Sequence, residues 1–192
     1  AINNDTNNHY ALATNTTIID TVKMTGLQVG KEYLLKATPI DINTGKQINN
    51  ILIEKKFIAT ESNQDVNVEI TIDTSLLAGK TINMFEELYD EGVLIAYHKD
   101  LKDENQNIYV KNVKIGTTAI AQDTNDKISK YGETSTIVDT VKYEDLISNI
   151  EYTMKGILID KNTGNPILIN DKEVIAETKF TPEKEDGTVD VV

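Results

Sequence analysis

The chain has 192 residues, a formal charge of −12 and a sequence pI near 4.6. A phosphate backbone calls for a basic partner surface, so this balance argues against nucleic acid and equally against anionic membranes. There is no cysteine, so no disulfide supports the fold, and no apolar run is long enough to span a bilayer, so no membrane insertion is expected. Isoleucine, valine, threonine and asparagine suit strands and turns. The chain opens at Ala1 and stops at Val192 inside a strand-like pattern. It reads as a piece of a longer protein.

Taken in chain order, β-branched alternation predicts strands over Thr17–Lys23, Lys31–Pro39, Ile51–Ala59, Val66–Ile72, Thr81–Tyr89 and Val93–His98, with a further candidate over Asn107–Val113. Asp41-Ile42-Asn43-Thr44-Gly45 and Asp160-Lys161-Asn162-Thr163-Gly164 read as hairpin turns, because Asn and Gly accept left-handed backbone. Val66 to Ile72 alternates cleanly, which predicts one buried face and one wet face. Ser75-Leu76-Leu77-Ala78-Gly79 is expected to form one helical turn closed by glycine. Many short strands between turn signals predict an all-β, antiparallel sandwich of the Ig-like kind.

An internal repeat organises these strands. Thr17-Ile18-Ile19-Asp20-Thr21-Val22-Lys23 returns as Thr136-Ile137-Val138-Asp139-Thr140-Val141-Lys142, a shift of 119 residues. At the same shift Tyr33 meets Tyr152, Lys36 meets Lys155, and Asp41, Asn43, Thr44 and Gly45 meet Asp160, Asn162, Thr163 and Gly164. The period suits a whole domain rather than a solenoid unit. The expected division is residues 1–112 as repeat 1, without its first Thr-bearing strand, and residues 113–192 as the N-terminal part of repeat 2.

Polar residues concentrate late in repeat 1: Phe85-Glu86-Glu87-Leu88-Tyr89, His98-Lys99-Asp100, then Asp103-Glu104-Asn105-Gln106. By residue type alone this is a solvated acidic loop. Asp100, Asp103 and Glu104 are hard oxygen ligands without the spacing of an EF-hand, and Asp41-x-Asn43-x-Gly45 lacks the bidentate Glu of a calcium loop. No metal and no cofactor is expected. His9 has no partner pattern and reads as a loop residue.

The order Ile115-Gly116-Thr117-x-Ala119, Asp139-Thr140-Val141, Tyr152, Asp160-x-x-Thr163-Gly164, together with Phe85-Glu86-x-Leu88-Tyr89 and His98-x-Asp100-x-x-Asp103-x-x-Gln106, resembles the VaFE repeats, or T-Q ester-bond domains, of Gram-positive surface proteins. The resemblance implies Ig-like sandwiches strung into adhesin stalks. It also implies an autocatalytic cross-link, in which a Thr hydroxyl on the first strand attacks a Gln amide on the last, ammonia leaves and an intramolecular ester remains. Carried onto this sequence, Gln106 is the acyl donor of repeat 1. Glu86 and Asp103 form the acidic pair and His98 assists them. Thr117, rather than Thr118, is the nucleophile of repeat 2. The Thr that pairs with Gln106 is expected before Ala1, and the Gln that pairs with Thr117 beyond Val192. Gln106 is followed by Asn107, where many relatives carry Thr.

The resemblance implies a cell-wall-anchored, extracellular protein whose partners are neighbouring repeats of the same stalk, with host ligands bound through other domains. Two other function classes compete. One is an adhesin module that recognises a glycan or protein through its loops. The other is a hydrolase using Glu86, Asp103 and His98, which lacks an evident nucleophile and a Gly-rich oxyanion turn. Lys114 near Thr117 leaves open an isopeptide in place of the ester.

Overall fold

A computed structural model describes residues 1–132 and 134–192. They divide into two compact units, Ala1–Asn112 and Val113–Val192. Among the described residues no helix is long and apolar enough to cross a membrane.

Unit 1 contains ten strands: β1 (Ile2–Asn3), β2 (Tyr10–Ala11), β3 (Asn15–Met24), β4 (Glu32–Asp41), β5 (Lys46–Gln47), β6 (Ile53–Ile58), β7 (Gln64–Asp73), β8 (Thr81–Asp90), β9 (Val93–His98) and β10 (Asn107–Val110). A 3-10 turn over Glu104–Gln106 leads into β10. One sheet has the order β1-β3-β7. The other runs β2-β10-β8-β4-β5, with β6 also on β4 and β9 also on β8. All pairings are antiparallel except that of β10 with β2.

Alternation explains how the two sheets meet. In β7, Val66, Val68, Ile70 and Ile72 are buried while the residues between them face water. In β3 the buried phase carries Thr16, Ile18, Asp20 and Met24. In β8 it carries Ile82, Met84, Glu86 and Leu88. These rows and Leu35, Ala37, Ile108 and Val110 form one core between the sheets. The result is an antiparallel β-sandwich of the Ig-like kind.

Three local expectations are revised. Ser75–Gly79 forms consecutive turns, with Leu77 N–H bonded to the Thr74 carbonyl and Lys80 N–H to that of Leu77, and no helical turn. Asn49 and Asn50 both adopt positive φ, so a turn holds the chain until β6 starts at Ile53 rather than Ile51. The last strand stops at Val110, where the Lys111 N–H bonds to the Ala11 carbonyl.

Unit 2 contains β11 (Lys114–Ala121), β12 (Ile137–Glu144), β13 (Tyr152–Ile157), β14 (Leu168–Ile169), β15 (Lys172–Glu173), β16 (Ile175–Phe180) and β17 (Gly187–Val191). They pair as β11-β12-β17, β13-β16 and β14-β15. Its core holds Val141, Tyr143, Leu146, Ile147 and Val191, with the Phe180 ring 5.3 Å from Tyr143 and 6.1 Å from Tyr152. The first-strand register matches that of unit 1: Ile120 faces Val138 as Ile2 faces Ile19.

Truncating a fully buried core residue leaves a cavity the sandwich cannot close. Ile18→Ala is expected to lower the unfolding free energy of unit 1 by about 2–5 kcal/mol. Leu76→Ala, at an 89% exposed position, should stay within about 0.5 kcal/mol of the parent. Urea denaturation followed by circular dichroism compares the two.

Candidate functional site

Each of the two facing sheets places one carboxylic acid in an otherwise apolar inward row. Asp20 follows Ile18 on β3 and is completely buried, and Glu86 lies between Met84 and Leu88 on β8 and is 3% exposed. Burial pushes the Glu86 carboxyl from its ordinary value of 4.5 up to about 10, and the neighbouring Asp20 carboxyl adds to the shift by charge and by hydrogen bonding. The Ala1 ammonium opposes it and Asp103 reinforces it to a smaller extent. Glu86 therefore holds its proton at neutral pH. The two carboxyls are close enough to couple, yet both oxygens of Asp20 and the Oε1 of Glu86 lack a hydrogen-bond partner of ordinary geometry.

β9 brings histidine to this pair. Glu91 and Gly92 both adopt positive φ, at 47° and 81°, which is the two-residue hairpin geometry matched to strand twist. The turn sets Asp90 opposite Val93, and a bulge at Leu88/Tyr89 restores His98 opposite Glu86. His98 Nδ1 lies 3.2 Å from Glu86 Oε2, and Nε2 lies 3.4 Å from Asp103 Oδ2. The Asp103 carboxyl also accepts from the Asn105 N–H at 3.0 Å, capping the turn that delivers Gln106.

Gln106 ends the 3-10 turn that leads into β10, and its amide oxygen is buried without a hydrogen-bond partner. Its neighbour Asn105 is tied to the acids: the Ala1 amine donates to the Asn105 carbonyl at 2.7 Å and lies 3.5 Å from Asp20 Oδ1. Beside these groups a groove of about 220 Å³ runs between the end of β3 and β9, lined by Val22, Met24, Leu35, Glu86, Leu88 and His98 among others. Buried unpartnered polar atoms each cost about 1–3 kcal/mol, so the three such oxygens of the coupled Asp20–Glu86 pair, together with that of Gln106 in the same unit, are a cost that packing alone does not explain.

Of the residues singled out from sequence, Glu86, His98 and Asp103 come together as a chain of contacts. The pairing differs from expectation. Asp103 does not meet Glu86 directly, because His98 stands between them. The acid coupled to Glu86 is Asp20, which the sequence reading passed over. Its signal was present: an acid occupies the buried phase of the same strand in both copies of the repeat, and the Oδ1 of Asp139 in unit 2 is likewise buried and unpartnered.

In unit 2, Thr117 lies opposite Val141 and Ala119 opposite Asp139. Thr117 thus shares the face of Asp139 and of the buried Val141, whereas Thr118 lies on the other face, opposite Thr140, whose hydroxyl donates to Asp190. Lys114 falls in the phase of Thr118, away from Thr117. His9 is a loop residue with Nδ1 3.0 Å from the Asn107 carbonyl. Asp41 serves its turn, accepting from the Asn43 N–H at 2.9 Å and facing Lys80 Nζ at 3.3 Å.

The sandwich thus holds two coupled acids, a histidine in contact with one of them, and a buried unpartnered carboxamide. The model of the T-Q ester bond containing domain matches residues 1–110 and again residues 113–192, and the chain belongs to that family. No curated protein matches it. Two solved structures of a bacterial adhesin from Mobiluncus mulieris, described as containing intramolecular disulfide, isopeptide and ester bond cross-links, share its fold. One is 13% identical with a TM-score of 0.52, covering 82% of this chain and 86% of that one. The other is 12% identical with a TM-score of 0.50, covering 95% and 93%.

The raised Glu86 pKa fixes the sign of a pH effect. Between about 4.5 and about 10 the folded protein keeps a proton that the unfolded chain has lost. Stability conferred on unit 1 by protonated Glu86 is therefore full below about 4.5 and declines as pH rises towards about 10. Glu86→Gln is expected to flatten this decline. Urea unfolding of both forms at pH values spaced between about 5 and about 9 tests it, and parallel pH dependence would count against a buried protonated Glu86.

Proposed function

We propose that this chain is a stalk segment of a cell-wall-anchored, extracellular surface adhesin, stabilised by an autocatalytic ester between a Thr hydroxyl and the Gln106 side chain. The observation that carries the reading is the buried, unpartnered Gln106 amide oxygen, one residue on from the Asn105 carbonyl that the Ala1 amine ties to Asp20, the acid coupled to Glu86. The groove beside them supports it further. At the repeat shift, Val22 is the counterpart of Val141, the residue opposite Thr117. A strand continuing β1 along β3 in that register would place a Thr opposite Val22, on the groove.

The chemistry follows from the groups present. Protonated Glu86 polarises the Gln106 carbonyl by hydrogen bonding, and the Asp20 carboxylate takes the Thr proton. The Thr oxygen bonds to the amide carbon, the carbon–nitrogen bond breaks, and the proton taken from Thr ends on the departing nitrogen as ammonia. His98, held by Asp103, relays that proton. Positioning in a dry site supplies on the order of 7–11 kcal/mol of the barrier. The reaction happens once per domain, so the protein is not a turnover enzyme. Thr117 plays the nucleophile in repeat 2, with Asp139 as its acid.

The product links first and last strands, so a pulled domain cannot peel apart. In the chain-entropy model, closing so long a loop adds about 4–5 kcal/mol. Neighbouring repeats are the mechanical partners, and host ligands bind through other domains.

A protein carrying the Thr-bearing strand and residues 1–112 is expected to weigh one ammonia less than its sequence. Gln106→Ala should abolish that loss, and Glu86→Gln should slow it by at least on the order of a hundredfold. Hydroxylamine should cleave the link, as it does esters and not isopeptides. An intact mass equal to the sequence mass would reject the reading.

A further inference from the structure

Asn83 lies in the middle of β8 next to Met84, and alternation turns it to the face opposite Met84 and Glu86. The outer face of a sandwich sheet is ordinarily wet, yet Asn83 is completely buried. Segment 99–106, which joins β9 to β10, covers it. Asn83 Nδ2 lies 2.9 Å from Asn107 Oδ1 and 3.4 Å from the carbonyls of both Asp100 and Asp103. Main-chain carbonyls only accept, so the NH2 end of this amide faces the segment, its two hydrogens shared among three acceptors. The other end, Asn83 Oδ1, is buried without a partner.

The segment's own bonds are local. Lys102 N–H donates to Asp100 Oδ1 at 2.9 Å, and Asp103 N–H donates to the Asp100 carbonyl at 3.1 Å. The Asp103 carbonyl is the point of connection, because it accepts from Asn83 and also from the Gln106 N–H at 3.1 Å. The carboxyl of that same Asp103 reaches His98 Nε2. One buried amide thus anchors both the residue that orients His98 and the residue that bears the acyl group. A residue chosen for packing alone would be apolar there, since the orphaned Oδ1 is a standing cost.

We propose that Asn83 is a positioning residue for the cross-linking reaction, holding Asp103 against His98 and, through the Asp103 carbonyl, the turn that carries Gln106. The proposal rests on the reading of Gln106 as acyl donor. It is tested in the parent protein with its Thr-bearing strand, unsubstituted and as Asn83→Asp and Asn83→Leu. Aspartate keeps the shape but sets an acceptor against two carbonyls, and leucine keeps the volume without polarity. Ammonia loss is followed by intact mass at set times after synthesis across a pH series, alongside thermal melting.

Both variants are expected to cross-link on the order of a hundredfold more slowly, with a displaced pH profile because His98 has lost Asp103, while the leucine variant melts close to the parent when Gln106→Ala keeps both uncross-linked. An unchanged rate in a folded variant overturns the positioning role. So does slowing that merely follows lost stability with the pH profile in place. Either result leaves the cross-link itself standing. Absence of ammonia loss in the unsubstituted protein overturns the cross-link reading and this proposal with it. If neither variant folds, Asn83→Gln moves the amide by one methylene: slowing with a displaced profile supports the role, and an unchanged rate and profile refutes it.

Discussion

The coupled, buried pair of Asp20 and Glu86 is the constraint around which unit 1 is arranged. Two carboxyls from facing sheets occupy core positions where neighbours are Ile18, Met84 and Leu88. Two negative charges in so dry a place would be prohibitive, so one proton stays, and Glu86 carries it. The unpaired oxygens that remain are a cost the surrounding apolar rows must offset. Such an arrangement makes little sense as packing and is what the proposed condensation requires of its acids.

Everything else at the site follows from strand geometry. The phase of β3 sets Asp20 inward, that of β8 sets Glu86 inward, and the Glu91–Gly92 turn with its bulge brings His98 opposite Glu86. The segment after β9 returns Asp103 to the far side of that imidazole and sets Gln106 at the end of the 3-10 turn, just before β10. Four strands and two turns thereby bring together groups spread from residue 20 to residue 106. Rigid ladders suit such a task better than loops, because a displacement of about an ångström costs on the order of a hundredfold in rate.

The strands were legible because β-branched alternation is a strong and local signal. Val66 to Ile72 and Thr81 to Tyr89 could hardly be read otherwise. Phase was legible too, and it separates Thr117 from Thr118. What sequence spacing concealed was the order of contacts across the site. Glu86 and Asp103 look like natural partners in a list of acids, but only the β8–β9 register reveals that His98 fills the space between them. Asp20 was overlooked for a different reason. It sat inside the most conspicuous repeated string, where it served as a marker of the repeat rather than as a charged group in a buried phase. The Ser75–Gly79 turn misled because glycine closes β-turns and helical turns alike.

Asp20 and Asp139 also carry the comparison between the two units further than the repeated letters do. Both stand one strand away from the first strand of their unit, in the same register, and both keep a carboxyl oxygen buried and unpartnered. In unit 2 the residue two positions before the one facing this acid is Thr117, on the same face. In unit 1 the acid couples to Glu86, which His98 contacts, and the same unit buries the Gln106 amide oxygen. Between them the units display the groups that the proposed ester condensation calls for: a threonine on the acid's face in one, and a second acid, a histidine and a buried carboxamide in the other. An isolated buried aspartate would be a defect in either sheet. Repeated at the same register, beside a threonine in one unit and a protonated glutamic acid in the other, it is what the proposed reading requires of the base that takes the Thr proton.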